Sequence, residues 1–288
     1  MAPPDASPDL SSSPPEAVEV DNISPLPDVI IHHIFCFLPF KDLVKTSVLS
    51  KQWRLAWTST PYINLSFLSL PSRRVALLIS SALSLCTATK IEKLHVDCYV
   101  RTEFDRWFRF AAACQVEDAS LVFGGSDRFV PQFMCDCTSL VSLRISKATF
   151  PPDFSIHWPS LKKLCLHDFI FDYFPSGKDV IKKIIRGCPV LESLTLLSSR
   201  VGIFNVWIDS RSLRELVIEA DSIWSLDISA PLHISAPNLH SLRLSGGVVF
   251  SLFLTGVSSL AEAELNFKQP TACRWNFSRD LRFLLTKL

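Results

Sequence analysis

Two short groups of side chains in this sequence have the chemistry of metal ligands. Cys135 and Cys137 are separated by one residue, and His32 and His33 are adjacent. Structural zinc sites usually need two properly spaced pairs of such ligands, and the histidine nearest to the cysteines is His157. Adjacent residues on a helix point about 100° apart, so the two histidines do not converge on an ion. The sequence therefore predicts no metal site and no cofactor.

A second group mixes arginines with aromatic residues between Arg101 and Phe110. Basic and aromatic side chains together can bind single-stranded nucleic acid. The net charge of the chain is only +1, however, which argues against general binding to phosphate backbones. The aromatic residues fit the buried face of a helix whose arginines are solvated. We expect no nucleic-acid partner.

Motifs of catalysis are the third kind of chemistry that we considered. The turn at Phe123–Asp127 lacks the spacing of a phosphate loop or of a nucleophile elbow. No motif supports a Ser/His/Asp triad or a pair of catalytic carboxylates. The chain is therefore not expected to be an enzyme.

Composition indicates where the protein works. Nine cysteines, an odd number without regular spacing, fit reduced thiols in the cytosol or nucleus. The N-terminus has neither the basic nor the apolar region of a signal peptide. The longest apolar run, Val75–Cys86, is shorter than the roughly twenty residues that span a membrane. We expect a protein without a membrane partner.

The chain divides into a tail, a small helical unit and a long remainder. Residues 1–20 are rich in Pro and Ser and contain no aromatic residue, which predicts a disordered tail. Residues 21–66 predict three short helices: Pro39 ends the first, Asp42 can cap the second and Ser50 can cap the third, on which two tryptophans lie four residues apart. So small an apolar unit cannot bury all of its own surface and predicts a partner protein.

From about residue 90 onward a pattern Leu-x-x-Leu-x-Leu recurs. Its six clear copies begin at Ile91, Leu140, Leu161, Leu191, Leu213 and Leu239, looser copies begin at Ile223, Val249 and Leu260, and one more can lie within the first gap, around Leu121 and Phe123. This core at intervals of roughly 20 to 30 residues is the signature of leucine-rich repeats. Stacked repeats form a curved parallel sheet with helices or loops on the outer side, and Lys178–Gly187 predicts one such helix.

The segment from Leu26 to Trp57 strongly resembles the F-box. The repeats at Gly187–Leu196, Ser212–Leu216 and Ile234–Leu242 are similar to those of plant F-box/leucine-rich-repeat proteins of the group that usually carries a C-terminal FBD region. The resemblance implies a two-part α+β chain: a trihelical F-box at 21–66, followed at 67–288 by an irregular α/β solenoid with a curved parallel sheet. Members of the group generally run further, so we expect a shortened member or a truncated gene product with an uncapped solenoid end.

The resemblance also implies partners. The F-box family docks onto the Skp-type linker of cullin-based ubiquitin ligases, through a set of family positions of which some pack the three helices and others meet the linker. In this chain they are Leu26, Pro27, Ile30, Ile31, Ile34, Leu38, Pro39, Val44, Val48, Leu49 and Trp53. Strand residues between the inward leucines point to the concave face, which would bind a target. They are His95, Arg144, Lys163, Cys165, His167, Thr195, Glu215, Val217, Arg243 and Phe253.

The sequence therefore predicts a non-enzymatic substrate receptor of an SCF-type E3 ubiquitin ligase. Its F-box would bind the linker, and through it a cullin-RING ligase, while the repeats bind a protein target. Two alternatives are a small-molecule sensor like the hormone-receptor F-box proteins and a degenerate F-box/repeat protein without a ligase role.

Overall fold

The computed structural model describes residues 22–66, 73–98, 101–124, 128–169, 178–198, 206–220, 231–246 and 251–267. The predicted tail at 1–20, the looser repeat that begins at Ile223 and the C-terminal end of the chain lie outside these residues.

Three short helices open the described chain: α1 (Asp28–Phe35), α2 (Phe40–Lys45) and α3 (Trp53–Ala56), with single 3₁₀ turns at Thr46–Val48 and Trp57–Ser59. Trp53 of α3 and Trp57 of the 3₁₀ turn that follows it are buried, and each meets a phenylalanine of another helix edge to face. The Phe35 and Trp53 ring centroids are 5.6 Å apart, and those of Phe40 and Trp57 are 6.1 Å apart. Aromatic packing thus joins the three helices.

The start of α2 differs from the prediction. Asp42 does not cap this helix: it lies in the first turn and pairs with Lys45 at 2.8 Å, because the helix already begins after Pro39. Proline fixes φ near the helical value and needs no N–H partner at a helix start. Gln52, rather than the predicted Ser50, is the residue that precedes α3, but Ser50 Oγ accepts a hydrogen bond from the Trp53 N–H at 3.4 Å.

The remaining elements alternate between strands and connecting segments. The helices are α4 (Arg73–Leu83), α5 (Arg101–Ala113), α6 (Gln132–Cys135) and α7 (Lys178–Gly187). The strands are β1 (Tyr62–Ser66), β2 (Lys93–Cys98), β3 (Asp118–Phe123), β4 (Ser142–Ser146), β5 (Lys163–His167), β6 (Ser193–Ser198), β7 (Val206–Asp209), β8 (Glu215–Ala220), β9 (Pro231–Ser235), β10 (Ser241–Gly246), β11 (Ser251–Thr255) and β12 (Glu262–Phe267).

Nine of these strands form one open, parallel sheet in the order β1-β2-β3-β4-β5-β6-β8-β10-β12. The leucines of the repeat pattern stand beside one another across it; Leu143, for example, pairs with Leu164, which pairs with Leu194. This confirms the predicted parallel sheet of repeats. The copy in the first gap forms β3, and the loose copy at Leu260 leads into β12. Strand β1 was not predicted, and it lies within the range assigned to the helical unit.

The other three strands form a second parallel sheet, in the order β11-β9-β7. They lie in the connections between the last strands of the main sheet, where helices or loops were expected. Strand β7 packs beside α7, so the second sheet begins where the helical layer ends. The cause is local: Val206, Trp207 and Ile208 are β-branched or aromatic and alternate in burial, which favours a strand.

One hydrophobic core runs through the whole described structure, from Ile31 in α1 to Leu252 in β11. Two of its tryptophans are hydrogen-bonded within it: the indole N–H of Trp107 donates to Ser80 Oγ at 3.0 Å, and that of Trp158 to the Met134 carbonyl at 2.7 Å. The helical unit and the repeats therefore share a core rather than forming two separately packed bodies.

Candidate protein-binding surfaces

Large apolar side chains are exposed at the N-terminal end of the molecule. Val29 is 76% exposed, Phe37 71%, Val48 85% and Leu55 68%. We call this set, together with Ile30 and Leu49, the N-terminal apolar surface; Ile30 and Leu49 are about half exposed. Several large apolar side chains exposed on one small helical unit favour an interaction site there.

The structure sorts the predicted linker-binding residues into three groups. Pro27, Ile30, Val48 and Leu49 are exposed, whereas Leu26, Ile34, Leu38, Pro39 and Val44 are half-buried. Ile31 and Trp53 are buried, with 0% and 3% exposure, so they pack the helices together and are out of a partner's reach.

Val48, the most exposed member of this surface, was predicted from the sequence, whereas Val29, Phe37 and Leu55 were missed. Val29, Ile30, His33 and Phe37 are spaced i, i+1, i+4 and i+8, which places them on one stripe of α1 and the turn after it. The stripe is opposite the one that holds Ile31 and the other buried residues. This spacing is the sequence signal from which the exposed stripe could have been predicted.

Hydrogen bonds hold the entering chain against the third helix. The side-chain amide of Gln52 donates to the Leu26 carbonyl and to Asp28 Oδ1, both at 2.9 Å. The indole N–H of Trp53 donates to the Ile23 carbonyl at 3.1 Å. The apolar residues are thus presented on a fixed scaffold, which lowers the entropic cost of binding.

The second candidate surface is the open face of the main sheet, the face opposite the core. Nine of the ten residues predicted for the target face have this placement in the strand register, although Val217 among them is buried, at 9% exposure. In strand register, His95 is beside Ser120, which leads across Arg144, Cys165, Thr195, Val217 and Arg243 to Glu264. Lys163 and Glu215 stand in the row before it, and His167 in the row after it. These three rows form a continuous, mostly polar surface.

Phe253 is the exception, and its predicted place on the concave face is wrong. It lies in β11 of the second sheet, 47% exposed, where its ring stacks on His233 at a centroid distance of 4.5 Å. His233 in turn stacks on Trp207 at 4.1 Å. The copy at Val249 misled the prediction because inward-outward alternation is the same for any half-buried strand, whichever sheet it joins.

Charge is unevenly distributed over the open face. Strands β8, β10 and β12 carry Glu215, Glu219, Glu262 and Glu264 against one cation, Arg243. Arg243 Nε donates to Glu264 Oε2 at 2.7 Å, and this hydrogen bond, with the neighbouring carboxylates, raises the pKa of Arg243. Toward the other end, burial lowers the pKa of His95. The face is therefore a varied polar surface rather than a uniform patch.

The residues considered above as metal ligands or nucleic-acid contacts are packed against other parts of the protein. Cys135 and Cys137 are buried, and burial raises the pKa of Cys135 to about 12. His32 Nε2 is 3.3 Å from the Ala56 carbonyl oxygen. In α5, Trp107 is buried and Arg109 lies over the Phe133 ring at 4.5 Å. Within the described residues, no group of three or more His, Cys, Asp or Glu side chains could hold a metal ion.

A cavity of about 500 Å³ lies between α5 and α6. Its walls are mainly apolar, with Phe123, Phe129 and Val130 among them, and Asp105 and Arg109 are the charged residues that line it. None of the helices in the described part of the chain has the length and apolarity to span a membrane.

The fold and its surfaces define a helical docking unit joined to a leucine-rich-repeat solenoid. Two family models match the chain: the F-box domain at residues 23–64, and the model described as FBD-associated F-box protein At5g56370, LRR repeats, at residues 104–252. The chain belongs to the F-box/LRR-repeat family. Members of this family are generally adaptors rather than enzymes.

Relatives from Arabidopsis thaliana are similar over most of the chain. F-box/LRR-repeat protein 25 is 33% identical over 241 residues, which cover 81% of this chain and 89% of that protein. F-box protein At5g03100 is 35% identical over 256 residues, covering 87% and 78%. The chain spans only 55%, 61% and 55% of the length of three further relatives. No solved structure matches the chain significantly.

Proposed function

We propose that this chain is a substrate-recognition adaptor of an SCF-type E3 ubiquitin ligase. The N-terminal apolar surface binds a Skp-type linker, and through it a cullin-RING ligase, while the open face of the repeats binds a protein target. The observation that carries the proposal is the exposed apolar set on the F-box helices, which share one core with the repeat sheet.

The shared core supports a mechanism based on position. A target held on the open face would keep a fixed orientation relative to the linker, because the F-box helices and β1 pack into one hydrophobic core. Ubiquitin transfer then accelerates through raised effective concentration of the target's lysines near the charged E2. The chemistry belongs to the E2 and its RING partner, and this chain supplies no catalytic residue.

The proposed place of action is the cytoplasm, the nucleus or both. Seven cysteines whose side chains the structure describes are free thiols, and burial raises the pKa of several of them, including Cys135 and Cys188. Free thiols are the usual state of cysteine in a reducing compartment.

Binding to a purified Skp-type linker tests the proposal. The full chain is compared with a double variant, Val48→Asp with Leu49→Asp, by biolayer interferometry. Two charges in an apolar interface should weaken binding at least a hundredfold, because each would be desolvated without a partner. Since Val48 and Leu49 are exposed, circular dichroism and the melting temperature should stay those of the wild type.

Val190→Asp is the control, since Val190 is a 40% exposed apolar residue that precedes β6, five strands along the main sheet from β1. It should bind the linker as the wild type does. Full binding by the double variant would move the interface elsewhere, and failure of the wild-type chain to bind any Skp-type linker would refute the adaptor role.

A further inference from the structure

The cavity of about 500 Å³ between α5 and α6 combines an apolar lining with two opposite charges. Three phenylalanines, two prolines and a valine form most of its described lining: Phe123, Phe129, Phe133, Pro131, Pro151 and Val130. Asp105 and Arg109 are the charged residues among those that the structure describes there. A mainly apolar cavity of roughly 300 to 1,000 Å³ with a few polar groups is the usual form of a small-molecule site.

The two charged side chains of this cavity are not paired with each other. Asp105 and Arg109 lie one turn apart on α5, and both are exposed. Residues of opposite charge at this spacing, i and i+4, commonly attract each other on a helix. Neither side chain, however, forms an ion pair or a hydrogen bond with any residue that the structure describes. A carboxylate and a guanidinium are therefore both available to a ligand at the wall of one cavity.

Arg109 contacts an aromatic ring instead of a carboxylate. Its Cζ atom lies 4.5 Å from the centroid of the Phe133 ring. This cation–π contact attracts the guanidinium group electrostatically and leaves its N–H donors unused. Those donors form a fork that can bind both oxygens of a carboxylate. Arg109 is thus placed to bind an anion beside an apolar wall.

Hydrogen bonds to the segment after β4 fix one wall of the cavity. The Val130 N–H donates to the Thr149 carbonyl at 2.8 Å. The Gln132 side chain accepts a hydrogen bond from the Ser155 N–H at 3.3 Å and donates one to the Ser155 carbonyl at 3.1 Å. Because this wall is already ordered, a ligand would pay little conformational entropy to bind against it.

The two charges restrict the chemistry of a ligand. A simple anion satisfies Arg109 but brings its charge toward the Asp105 carboxylate, and a simple cation meets the reverse conflict with Arg109. A ligand with both an ammonium and a carboxylate group satisfies both residues and avoids like charges facing each other. The lining also favours a large apolar group, and aromatic rings pack favourably on one another. These requirements together describe an α-amino acid with an aromatic side chain.

We propose that the cavity between α5 and α6 binds a free aromatic α-amino acid. The ligand's carboxylate accepts hydrogen bonds from the Arg109 guanidinium, its ammonium group donates to the Asp105 carboxylate, and its ring packs against the phenylalanines and prolines of the lining. This site goes beyond the proposed adaptor function and does not depend on it, because none of the described lining residues belongs to the N-terminal apolar surface.

Isothermal titration calorimetry of the full chain with L-phenylalanine and L-tryptophan tests the proposal. Three further probes each lack one part of phenylalanine: 3-phenylpropanoate has no ammonium group, 2-phenylethylamine has no carboxylate and L-alanine has no ring. Each of the three should bind the wild type at least threefold more weakly than phenylalanine does. Absence of saturable binding by both aromatic amino acids would overturn the proposal.

Two variants identify which ligand group each charged residue meets. Arg109→Gln should weaken phenylalanine binding about tenfold without weakening that of 2-phenylethylamine, which has no carboxylate to lose a partner. Asp105→Asn should weaken phenylalanine binding about threefold without weakening that of 3-phenylpropanoate, since a single exposed charge contributes less. Arg106→Gln is the matched control: it removes a charge from an exposed position of α5 outside the cavity lining and should leave every affinity unchanged.

The remaining outcomes are equally decisive. A parallel loss of all probes in either variant would indicate a purely structural effect, and equal affinity of the wild type for phenylalanine and 3-phenylpropanoate would mean that Asp105 takes no part; each result would overturn the proposal. The melting temperatures of the ligand-free variants should match that of the wild type, because both residues are exposed. Arg109→Gln should bind the Skp-type linker normally, so failure of this site and failure of the adaptor role are seen in separate measurements.

Discussion

Two regions of this molecule expose side chains of different chemistry. The F-box turns valine, leucine, isoleucine and phenylalanine toward water, whereas the open face of the main sheet shows serine, threonine and charged residues. Apolar contact is insensitive to charge and salt and suits one constant partner. A varied polar face gives selectivity instead, since wrong charges oppose each other. The difference teaches that one shared hydrophobic core carries two surfaces of unlike physical kind.

The first prediction compares substitutions at two neighbouring residues of α1, one in the core and one on the exposed apolar surface. Ile31 is fully buried and its neighbour Ile30 is 46% exposed. Ile31→Ala should lower the free energy of unfolding by about 2–5 kcal/mol, because it leaves a cavity in the core. Ile30→Ala should leave stability nearly unchanged and weaken linker binding instead.

Urea unfolding followed by tryptophan fluorescence measures both variants. Because the core is shared, Ile31→Ala should also raise hydrogen exchange in β1 and β2. Equal stability of the two variants, or an effect confined to residues 22–59, would contradict a common core.

The second prediction concerns how the free energy of unfolding depends on pH through two buried thiols. Burial raises the pKa of Cys135 and Cys188 from the ordinary thiol value near 9 to about 12. Between these values the folded thiols stay protonated while the unfolded chain ionises them. The stabilisation is therefore complete below pH 9 and is lost as pH rises toward 12, by roughly 1 kcal/mol for each thiol at pH 10.

Urea titrations at pH 8 and pH 10 measure this loss, and Cys135→Ala and Cys188→Ala serve as comparisons. Each variant should lose less stability between the two pH values than the wild type does, whatever its stability at pH 8. An identical loss in all three proteins would mean that these thiols are not kept from water.

The third prediction concerns how closely the repeats pack. A methyl group added to Gly187 would overlap the carbonyl oxygen and the side chain of Ile156, and the Gly187 carbonyl accepts a hydrogen bond from the Trp158 N–H at 2.9 Å. Gly187→Ala should therefore destabilise the chain by about 1–3 kcal/mol through overpacking. Chemical denaturation measures the loss, and Arg186→Ala, at an exposed neighbour, should show a much smaller one; a neutral Gly187→Ala would mean that the two segments can move apart at no cost.

The smallest effect is expected on the open face itself. The Arg243–Glu264 pair is exposed on both sides, so Arg243→Gln and Glu264→Gln should each leave the urea midpoint unchanged within error. Their effect should appear only in the affinity and salt dependence of target binding. A clear loss of stability in either variant would show that this face contributes to the fold, which would weaken the contrast between the two surfaces.

Much of the fold could be predicted from the sequence, because inward leucines must alternate with outward residues along a half-buried strand. That rule located six repeats, the one around Leu121, and the row from His95 to Arg243. Helix α7 also has its predicted bounds, since Val180, Ile181 and Ile184 recur at helical spacing and are buried.

The rest depended on three-dimensional context. Alternation does not say which sheet a strand joins, so β11 and Phe253 were assigned to the wrong one. The family pattern names positions without their exposure, so Ile31 and Trp53 were grouped with Ile30 and Val48. The apolar run that contains α4 was interpreted only as too short to cross a membrane. Which of its apolar side chains are buried depends on what the helix packs against, and the sequence alone does not give that.

The register of the main sheet has a further consequence. Each strand offers up to three outward positions, separated by about 6.6 Å along the strand and about 4.8 Å from the next strand. The leucines between them hold the strands in place whatever stands at these positions. The open face is thus a grid on which one side chain can be exchanged at a time without changing the backbone, so a family built on this plan can acquire new targets by small steps while its docking end stays constant.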